Sequence, residues 1–176
     1  MKRALILVAA IAGSAAAADS TPRGEVLSKF VGSWRTEAII RNYGPPLREI
    51  RSTGRAESRP TLEGRYVEFR TMSIEPPGVA ELQVMTYDTA ADEYRQWVFD
   101  SDGYRHEARG RWHPATSTLR WETEAGGARI VIDDRWVSSD RLEWTLTRTG
   151  RDGRLTQRID GVVAREPGTS GGGKAP

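Results

Sequence analysis

The sequence predicts an all-β fold: a single antiparallel up-and-down β-barrel of about ten strands, with one short helix before the first strand. Short segments with strand character recur at regular spacing after Trp34. The turns between them are too short to hold a crossover helix, which favours antiparallel pairing. Apolar and charged residues alternate within the segments, so each predicted strand has one buried and one solvated face. An open meander of this length would expose two edges, and closing the sheet removes both.

The first eighteen residues have the pattern of a secretory signal peptide. Lys2 and Arg3 precede an apolar run from Ala4 to Ala12, and Ala16-x-Ala18 fits a cleavage site. The run is too short for a membrane-spanning helix. A frayed N-terminal helix on a cytosolic protein is the less favoured alternative. We therefore expect residues 1–18 to be removed near Ala18 and the mature protein to be periplasmic or secreted.

Composition excludes several classes of function. The chain has 26 Lys and Arg against 24 Asp and Glu, and loss of Lys2 and Arg3 makes the mature chain formally neutral. A clustered positive charge for nucleic acid is therefore not expected. The absence of cysteine excludes a disulfide framework, a thiol nucleophile and a lipid-modified cysteine. We expect one barrel domain over residues 19–166 and a disordered Gly- and Pro-rich tail over 167–176.

A helix is predicted over Pro22 to Val31, where Leu27, Phe30 and Val31 lie on one side and Gly32 ends the element. Ten strands are predicted after it: Trp34–Tyr43, Leu47–Arg59, Arg65–Ile74, Val79–Asp88, Glu93–Asp100, Tyr104–His113, Thr118–Ala125, Ala128–Val137, Arg141–Arg148 and Leu155–Ala164.

Charges on neighbouring strands predict two registers, because unlike charges opposite one another are favourable and like charges are not. A three-residue turn over 138–140 sets Arg135 opposite Glu143 and Trp136 opposite Leu142. Earlier in the chain, a tight turn at Thr116-Ser117 would set Arg111 opposite Glu122. A four-residue loop there would set Arg111 opposite Arg120, so the tight turn is preferred.

Several of these features resemble known families. A short helix leading into Gly32-Ser33-Trp34 resembles the Gly-x-Trp signature of the calycin superfamily, which includes lipocalins and fatty-acid-binding proteins. A longer set of features resembles a bacterial calycin-like family, domain of unknown function 1579: Leu27 to Trp34, Leu62-Glu63-Gly64-Arg65-Tyr66, Thr86-Tyr87-Asp88, Tyr94, Trp97, Asp100 and Gly110. The resemblance implies a barrel with an internal cavity, and it implies no reaction or catalytic residue.

Cofactor and metal sites are not predicted. Nitrobindin-type haem barrels also begin with Gly-x-Trp, but their iron is held by a histidine near the C-terminus, where this chain has none. Its two histidines, His106 and His113, would point to opposite faces of one strand and cannot share a metal. His106 is interpreted as a hydrogen-bonded wall residue and His113 as an exposed turn residue.

Catalytic residues are not predicted either. No Gly-x-Ser-x-Gly elbow is present, and a serine nucleophile needs a positioned base. The neighbouring carboxylates Asp133 and Asp134 would diverge from a strand, and residues 100–103 have ordinary turn chemistry.

The six tryptophans are the most unusual feature of the composition. Trp34 is expected to close the barrel bottom beneath the helix, and alternation places the other five on the apolar face. They fill the core, or some line a cavity with flat aromatic walls. Arg95 and Asp134 appear in phase with this face, either paired with each other or, for Arg95, binding an acidic head group. The cavity candidates are Arg95, Trp97, Trp112, Trp121, Asp134, Trp136, Trp144 and Gln157, with Tyr66 and Tyr87 as weaker ones.

The sequence thus favours an exported, non-enzymatic carrier or sensor that binds a small apolar or amphipathic ligand inside the barrel. One alternative is an envelope protein-interaction module with a filled barrel, acting through its outer wall or the turns at 44–46 and 76–78. A calycin-type enzyme with a reacting group near Asp134, His106 or Tyr87 is the third hypothesis.

Overall fold

A computed structural model describes residues 22–167 of the chain. The predicted signal peptide and the predicted tail from residue 168 onward lie outside the described residues. One α-helix, one 3₁₀ turn and ten strands form within this range. They are α1 (Pro22–Ser28), β1 (Gly32–Asn42), β2 (Arg48–Thr61), β3 (Tyr66–Glu75), β4 (Ala80–Asp88), β5 (Glu93–Asp100), β6 (Arg105–His113), the 3₁₀ turn (Pro114–Thr116), β7 (Thr118–Ala125), β8 (Ala128–Ser138), β9 (Arg141–Thr149) and β10 (Leu155–Arg165).

The ten strands form a closed antiparallel barrel. Each strand pairs with the next along the chain, and β1 pairs with β10 to close the wall. The prediction of an up-and-down barrel is confirmed, and every predicted strand boundary lies within two residues of the observed one. Residues 22–167 contain no helix whose length and apolar character would let it cross a bilayer.

The helix covers one end of the barrel, which we call the closed end. Val26, Leu27 and Phe30 are buried, and the Phe30 ring meets Trp136 edge-on with centroids 5.2 Å apart. Trp34 is 1% exposed, and its Nε1 donates to the carbonyl oxygen of Phe30 at 2.8 Å. Trp34 therefore closes the barrel bottom under the helix, as predicted, although α1 ends three residues before the predicted end.

Arg165 ties the last strand to the closed end. Its guanidinium lies 4.0 Å from the centre of the Trp34 ring, and its Nη1 donates to the carbonyl oxygen of Val31 at 2.8 Å. Favourable cation–π contacts and charge-assisted hydrogen bonds of this kind hold helix and sheet together.

Two glycines on the inner wall make room for indole rings. A Cβ at Gly110 would lie 2.6 Å from Cε3 of Trp121, and a Cβ at Gly161 would overlap the ring of Trp144. Glycine in a strand interior often marks such a close approach. Both rings can therefore lie against the wall of the neighbouring strand.

One predicted register is confirmed and the other is wrong. Arg135 pairs with Glu143 and Trp136 lies opposite Leu142, as predicted. At the β6–β7 connection, however, Arg111 lies opposite Arg120, because Pro114 starts a 3₁₀ turn that lengthens the loop.

Two features weaken the repulsion between Arg111 and Arg120 at this connection. Arg120 donates twice to Asp133 of β8, with both distances 2.7 Å, and solvent screens the exposed arginines. Ser117 accepts a left-handed conformation, with φ 49°, to complete the loop.

Candidate ligand-binding lumen

The barrel end opposite the helix, which we call the open end, is formed by the turns β1–β2, β3–β4, β5–β6, β7–β8 and β9–β10. Inward-facing side chains are buried toward the closed end, and those of β1, β2, β9 and β10 become half-buried or exposed toward the open end. Phe69, Leu119 and Trp121 exemplify the first group, and Ser52 and Ile159 the second. On the other side of the barrel, Val98, Ala128 and Ile130 stay buried up to the open end. Within residues 22–167 no helix covers the open end, and the half-buried inward-facing side chains there keep part of their surface accessible to solvent.

Six of the eight predicted cavity residues face the inside of the barrel. Trp121 and Trp136 are buried, and Trp112 and Trp144 are half-buried and pack against the core. Gln157 is half-buried near the open end, where its Nε2 donates to Asn42 Oδ1 at 2.8 Å. The sixth is Asp134, described below.

Arg95 and Trp97 do not line the lumen, and that prediction is wrong for both. The buried residues of β5 are Tyr94, Gln96 and Val98, so Arg95 and Trp97 lie on the outer wall. β5 carries large apolar side chains on both faces, and assigning Trp97 to the core shifted the predicted face by one residue.

Arg95 belongs to an ion-pair cluster on the outer wall. Its Nη2 lies 2.8 Å from Glu93 Oε1, and its Nη1 lies 2.8 Å from Glu107 Oε1. It therefore pairs with neither Asp134 nor anything inside the barrel. Tyr66 also faces outward, whereas Tyr87 faces inward and packs edge-on against Tyr94 at 5.0 Å.

Asp134 lies in the lower half of the lumen between Leu119 and Trp144 of the adjacent strands. Its Oδ2 accepts a hydrogen bond of 2.9 Å from Trp121 Nε1. Burial raises the pKa of this carboxyl to about 7; the negative charge of Asp133 adds to the rise, and the bond from Trp121 opposes it. Both protonation states of Asp134 are therefore populated near neutral pH.

A second polar group faces the lumen nearer the open end, and the sequence analysis missed most of it. We call it the polar wall; it consists of Glu81, Gln83, Gln96 and His106, on β4, β5 and β6. Gln96 Nε2 donates to Gln83 Oε1 at 2.8 Å, and Gln83 Nε2 donates to Glu81 Oε1 at 2.6 Å. This chain of bonds fixes three side chains along the inner surface.

Several polar atoms of this wall have no partner within residues 22–167. Gln96 is 3% exposed, yet its Oε1 is unpaired, as are Nδ1 and Nε2 of His106. The expectation that His106 is hydrogen-bonded is therefore wrong, although it does lie on the wall. Buried polar groups normally find a partner, so these atoms mark a place where water or a ligand can bind.

Burial shifts the titration of two groups on the polar wall. The pKa of Glu81 is raised chiefly by desolvation, with a smaller contribution from the charge of Asp100 and an opposing one from the Gln83 hydrogen bond. The pKa of His106 is lowered by desolvation, against the opposing charge of Asp100. The imidazole is therefore neutral at neutral pH.

Asp100 stands at the rim beside this wall, opposite Glu81 in the register. Its Oδ1 accepts from the backbone amides of Asp102 and Tyr104, at 3.0 and 2.9 Å. It therefore shapes the β5–β6 turn while placing a negative charge at the mouth.

The opposite side of the lumen is apolar. Strands β5 and β10 are five places apart around the barrel in either direction, so the inner face of β10 and its neighbours looks across at the polar wall. This apolar wall consists of half-buried Ala38, Ile40, Trp144, Leu146 and Ile159. The lumen is thus amphipathic, with amides and acids on one side and hydrocarbon on the other.

The rim of the open end also exposes apolar side chains. Most large apolar residues that are exposed in the described range lie at this end, in or beside its turns: Tyr43, Leu47, Ile50, Met72, Ile74, Val79, Phe99, Tyr104 and Leu155. An apolar rim around a cavity entrance is a feature of ligand-binding and interaction surfaces.

Two depressions on the outer wall do not contribute to the lumen. One, of about 670 Å³, is lined by charged residues including Arg95, Glu107 and Arg129, and the other, of about 460 Å³, by the Arg120–Asp133 and Arg135–Glu143 pairs. Their side chains are held in ion pairs.

Within residues 22–167, no group of three or more His, Asp or Glu side chains is placed to hold a metal ion.

Solved structures share this architecture. The S-type phycobiliprotein lyase CPES from Guillardia theta superposes with a TM-score of 0.56 at 11% identity, covering 81% of this chain and 91% of that one. Rv2717c from M. tuberculosis superposes with a TM-score of 0.61 at 13% identity, covering 83% of this chain and 98% of that one. At such identities the likeness shows a common calycin-like fold. Among curated proteins, no sequence matches the chain.

One protein family matches by sequence. Its description is "protein of unknown function (DUF1579)", and the match spans residues 20–165. That span includes all ten strands of the barrel. The chain is therefore a member of the DUF1579 family, with a calycin-like barrel as its fold.

Proposed function

We propose that this protein binds a small amphipathic molecule in the lumen, entering from the open end, and acts as a non-enzymatic carrier or sensor. The observation that carries the proposal is the pairing of two unlike walls in one solvent-accessible lumen. The polar wall offers buried atoms without partners, and the apolar wall across from it is half-exposed.

Both walls favour an amphipathic ligand. A buried polar atom without a partner costs about 1–3 kcal/mol, which a hydrogen bond from a ligand would offset. Apolar ligand surface placed against Ile40, Leu146 and Ile159 would contribute about 25 cal/mol per Å² before the costs of association. The exposed apolar rim offers such a molecule an apolar surface at the entrance.

The arrangement around His106 supports a binding role. The ring nitrogens of His106 contact no hydroxyl of the described residues, whereas a serine or threonine nucleophile needs a hydrogen-bonded base. Asp134, whose pKa burial raises to about 7, accepts a hydrogen bond from Trp121. We therefore propose that these groups orient a ligand and do not transform it.

We also propose that the protein is exported. The proposal rests on Lys2, Arg3 and the apolar run to Ala12, followed by small residues to Ala18. Expression of the full chain in a Gram-negative host should give a periplasmic product whose N-terminal residue is Asp19. An uncleaved product in the cytoplasm would contradict the proposal.

A fluorescence titration tests lumen binding. N-phenyl-1-naphthylamine is a neutral amphipathic probe that gains fluorescence in apolar surroundings, and its bound form should quench the tryptophans that line the lumen. Saturable binding is expected. Ser52→Phe should weaken it at least about tenfold, because Ser52 faces the lumen and is half-buried, leaving less room for the probe.

A matched control lies beside the lumen substitution. Thr53→Phe adds the same side chain to the exposed outer face of the same strand and should leave probe affinity unchanged. If Ser52→Phe does not fold, Ser73→Phe blocks the same mouth from β3. Absence of saturable binding, or equal binding by the lumen and control variants, would refute the proposed function.

A further inference from the structure

We infer that the lumen selects amphiphiles whose polar end is a protonated amine, held by the acceptors of the polar wall. This inference rests on the proposed function and specifies its ligand class. It also reverses the acidic head group that the sequence suggested, because Arg95 lies on the outer wall.

The hydrogen bonds of the polar wall leave acceptors facing the lumen. The amide nitrogen of Gln96 is directed at Gln83, and that of Gln83 is directed at Glu81. The unpaired atom at the start of the chain is Gln96 Oε1, on a side chain that is 97% buried, and the group at its end is the Glu81 carboxylate. A ligand group that meets Gln96 Oε1 and the Glu81 carboxylate therefore needs to be a donor.

The charges on this side of the lumen have one sign. The inner faces of β4, β5 and β6 carry the carboxylates of Glu81 and Asp100 and the imidazole of His106, and they carry neither lysine nor arginine. A neutral His106, with its pKa lowered by burial, supplies one further acceptor nitrogen and one N–H donor. An ammonium group fits this set, whereas a carboxylate would be repelled.

The charges elsewhere on the inner wall are distant or engaged. On β8, Asp134 accepts from Trp121. On β10, Arg165 binds the closed end. Two arginines lie at the rim outside the polar wall: Arg148 on β9 is three strands from β6, and Arg48 on β2 is two strands from β4. The inner faces of β1, β3 and β7 contribute no charge between the two ends.

This arrangement predicts how affinity changes with pH. Glu81 must be ionised to pair with an ammonium group, and its pKa is raised. Affinity for an alkylamine should therefore increase as pH rises through that raised value, while the amine itself stays protonated. Affinity for the matching alcohol should change little over the same range.

A competition experiment separates ligand classes of equal length. Octylamine, octanol and octanoate are each used to displace N-phenyl-1-naphthylamine from the purified protein over a series of pH values. Octylamine should displace the probe at a concentration at least about tenfold below that of octanoate at the alkaline end of the series, and its advantage over octanol should shrink as pH falls. Glu81→Gln should remove the advantage over octanol, while Glu57→Gln, on the exposed outer face of β2, should keep it.

The outcomes distinguish this inference from the proposed function. Equal or tighter binding of octanoate, or a full amine preference in Glu81→Gln, overturns the amine inference and leaves lumen binding intact. Failure of the probe to bind overturns both. The pH series on the unsubstituted protein gives a second readout that needs no variant to fold.

Discussion

Asp134 provides a sharp test of the interior electrostatics. The carboxyl is buried beside Leu119 and Trp144 and accepts one hydrogen bond, from Trp121. Asp134→Asn keeps an oxygen that can accept from the same indole and removes the buried charge. We expect this substitution to stabilise the protein at alkaline pH, because a buried carboxylate with one partner is unfavourable.

The magnitude follows from the two pKa values. In the folded state the pKa is about 7, against 3.8 for the ordinary group, so the folded protein holds the proton more tightly than the unfolded chain. The penalty is therefore absent below pH 3.8, grows as pH rises toward 7, and is complete above it. At about 1.4 kcal/mol per pH unit, the penalty is complete at pH 8, where it is about 4 kcal/mol, and partial at pH 5, where it is about 2 kcal/mol.

Urea unfolding followed by tryptophan fluorescence measures this difference. The stability gain of Asp134→Asn over the unsubstituted protein should be about 2 kcal/mol larger at pH 8 than at pH 5. Asp133→Asn is the matched control: it alters the adjacent carboxylate, which faces outward and pairs with Arg120, and should give no such gain. A stability gain from Asp134→Asn that does not change with pH would show that the Asp134 carboxyl is not ionised against a burial penalty.

Three further substitutions test the packing of the inner wall. Gly110→Ala should destabilise the fold by about 1–3 kcal/mol in urea unfolding because its Cβ would meet the Trp121 ring, whereas Gly44→Ala, with open space around it, should have little effect; equal effects would contradict this packing. Trp34→Phe should reduce the unfolding free energy by about 1–3 kcal/mol by leaving the Phe30 carbonyl oxygen without its donor, and an unchanged midpoint would count against the bond. His106→Leu should raise the thermal midpoint because both ring nitrogens are unpaired, while His113→Leu at its exposed turn should not; a lower midpoint for His106→Leu would show that the ring has a partner.

The sequence predicted the barrel because its turns are short and several strands alternate strictly. In β8, for example, Ile130, Ile132 and Trp136 share a face, and the strand register with β9 follows from Arg135 and Glu143. The same rule failed in β5, where Tyr94, Trp97, Val98 and Phe99 put large apolar side chains on both faces. There, only the three-dimensional pairing shows that Gln96 faces inward.

The polar wall was hidden from the sequence for a related reason. Alternation favours polar residues on the solvated face, so the pattern alone gave no reason to place Glu81 and Gln83 inside. Their inward direction follows from pairing of Gln83 with the buried Phe69 and Val98 on the neighbouring strands. The in-phase spacing of Glu81, Gln83 and Met85 was the available signal. Its meaning depends on which face is buried, and that is set by neighbouring strands.

The position of a bound molecule in the barrel shows whether the lumen is the binding site. In methyl-labelled protein with N-phenyl-1-naphthylamine, nuclear Overhauser effects locate the probe. We expect contacts with the methyl groups of Ile40, Leu146 and Ile159 inside the lumen, and none with Ile39, the neighbour of Ile40 on the outer face. Contacts confined to Ile39 and other outer-wall methyl groups would show that the lumen is not the binding site.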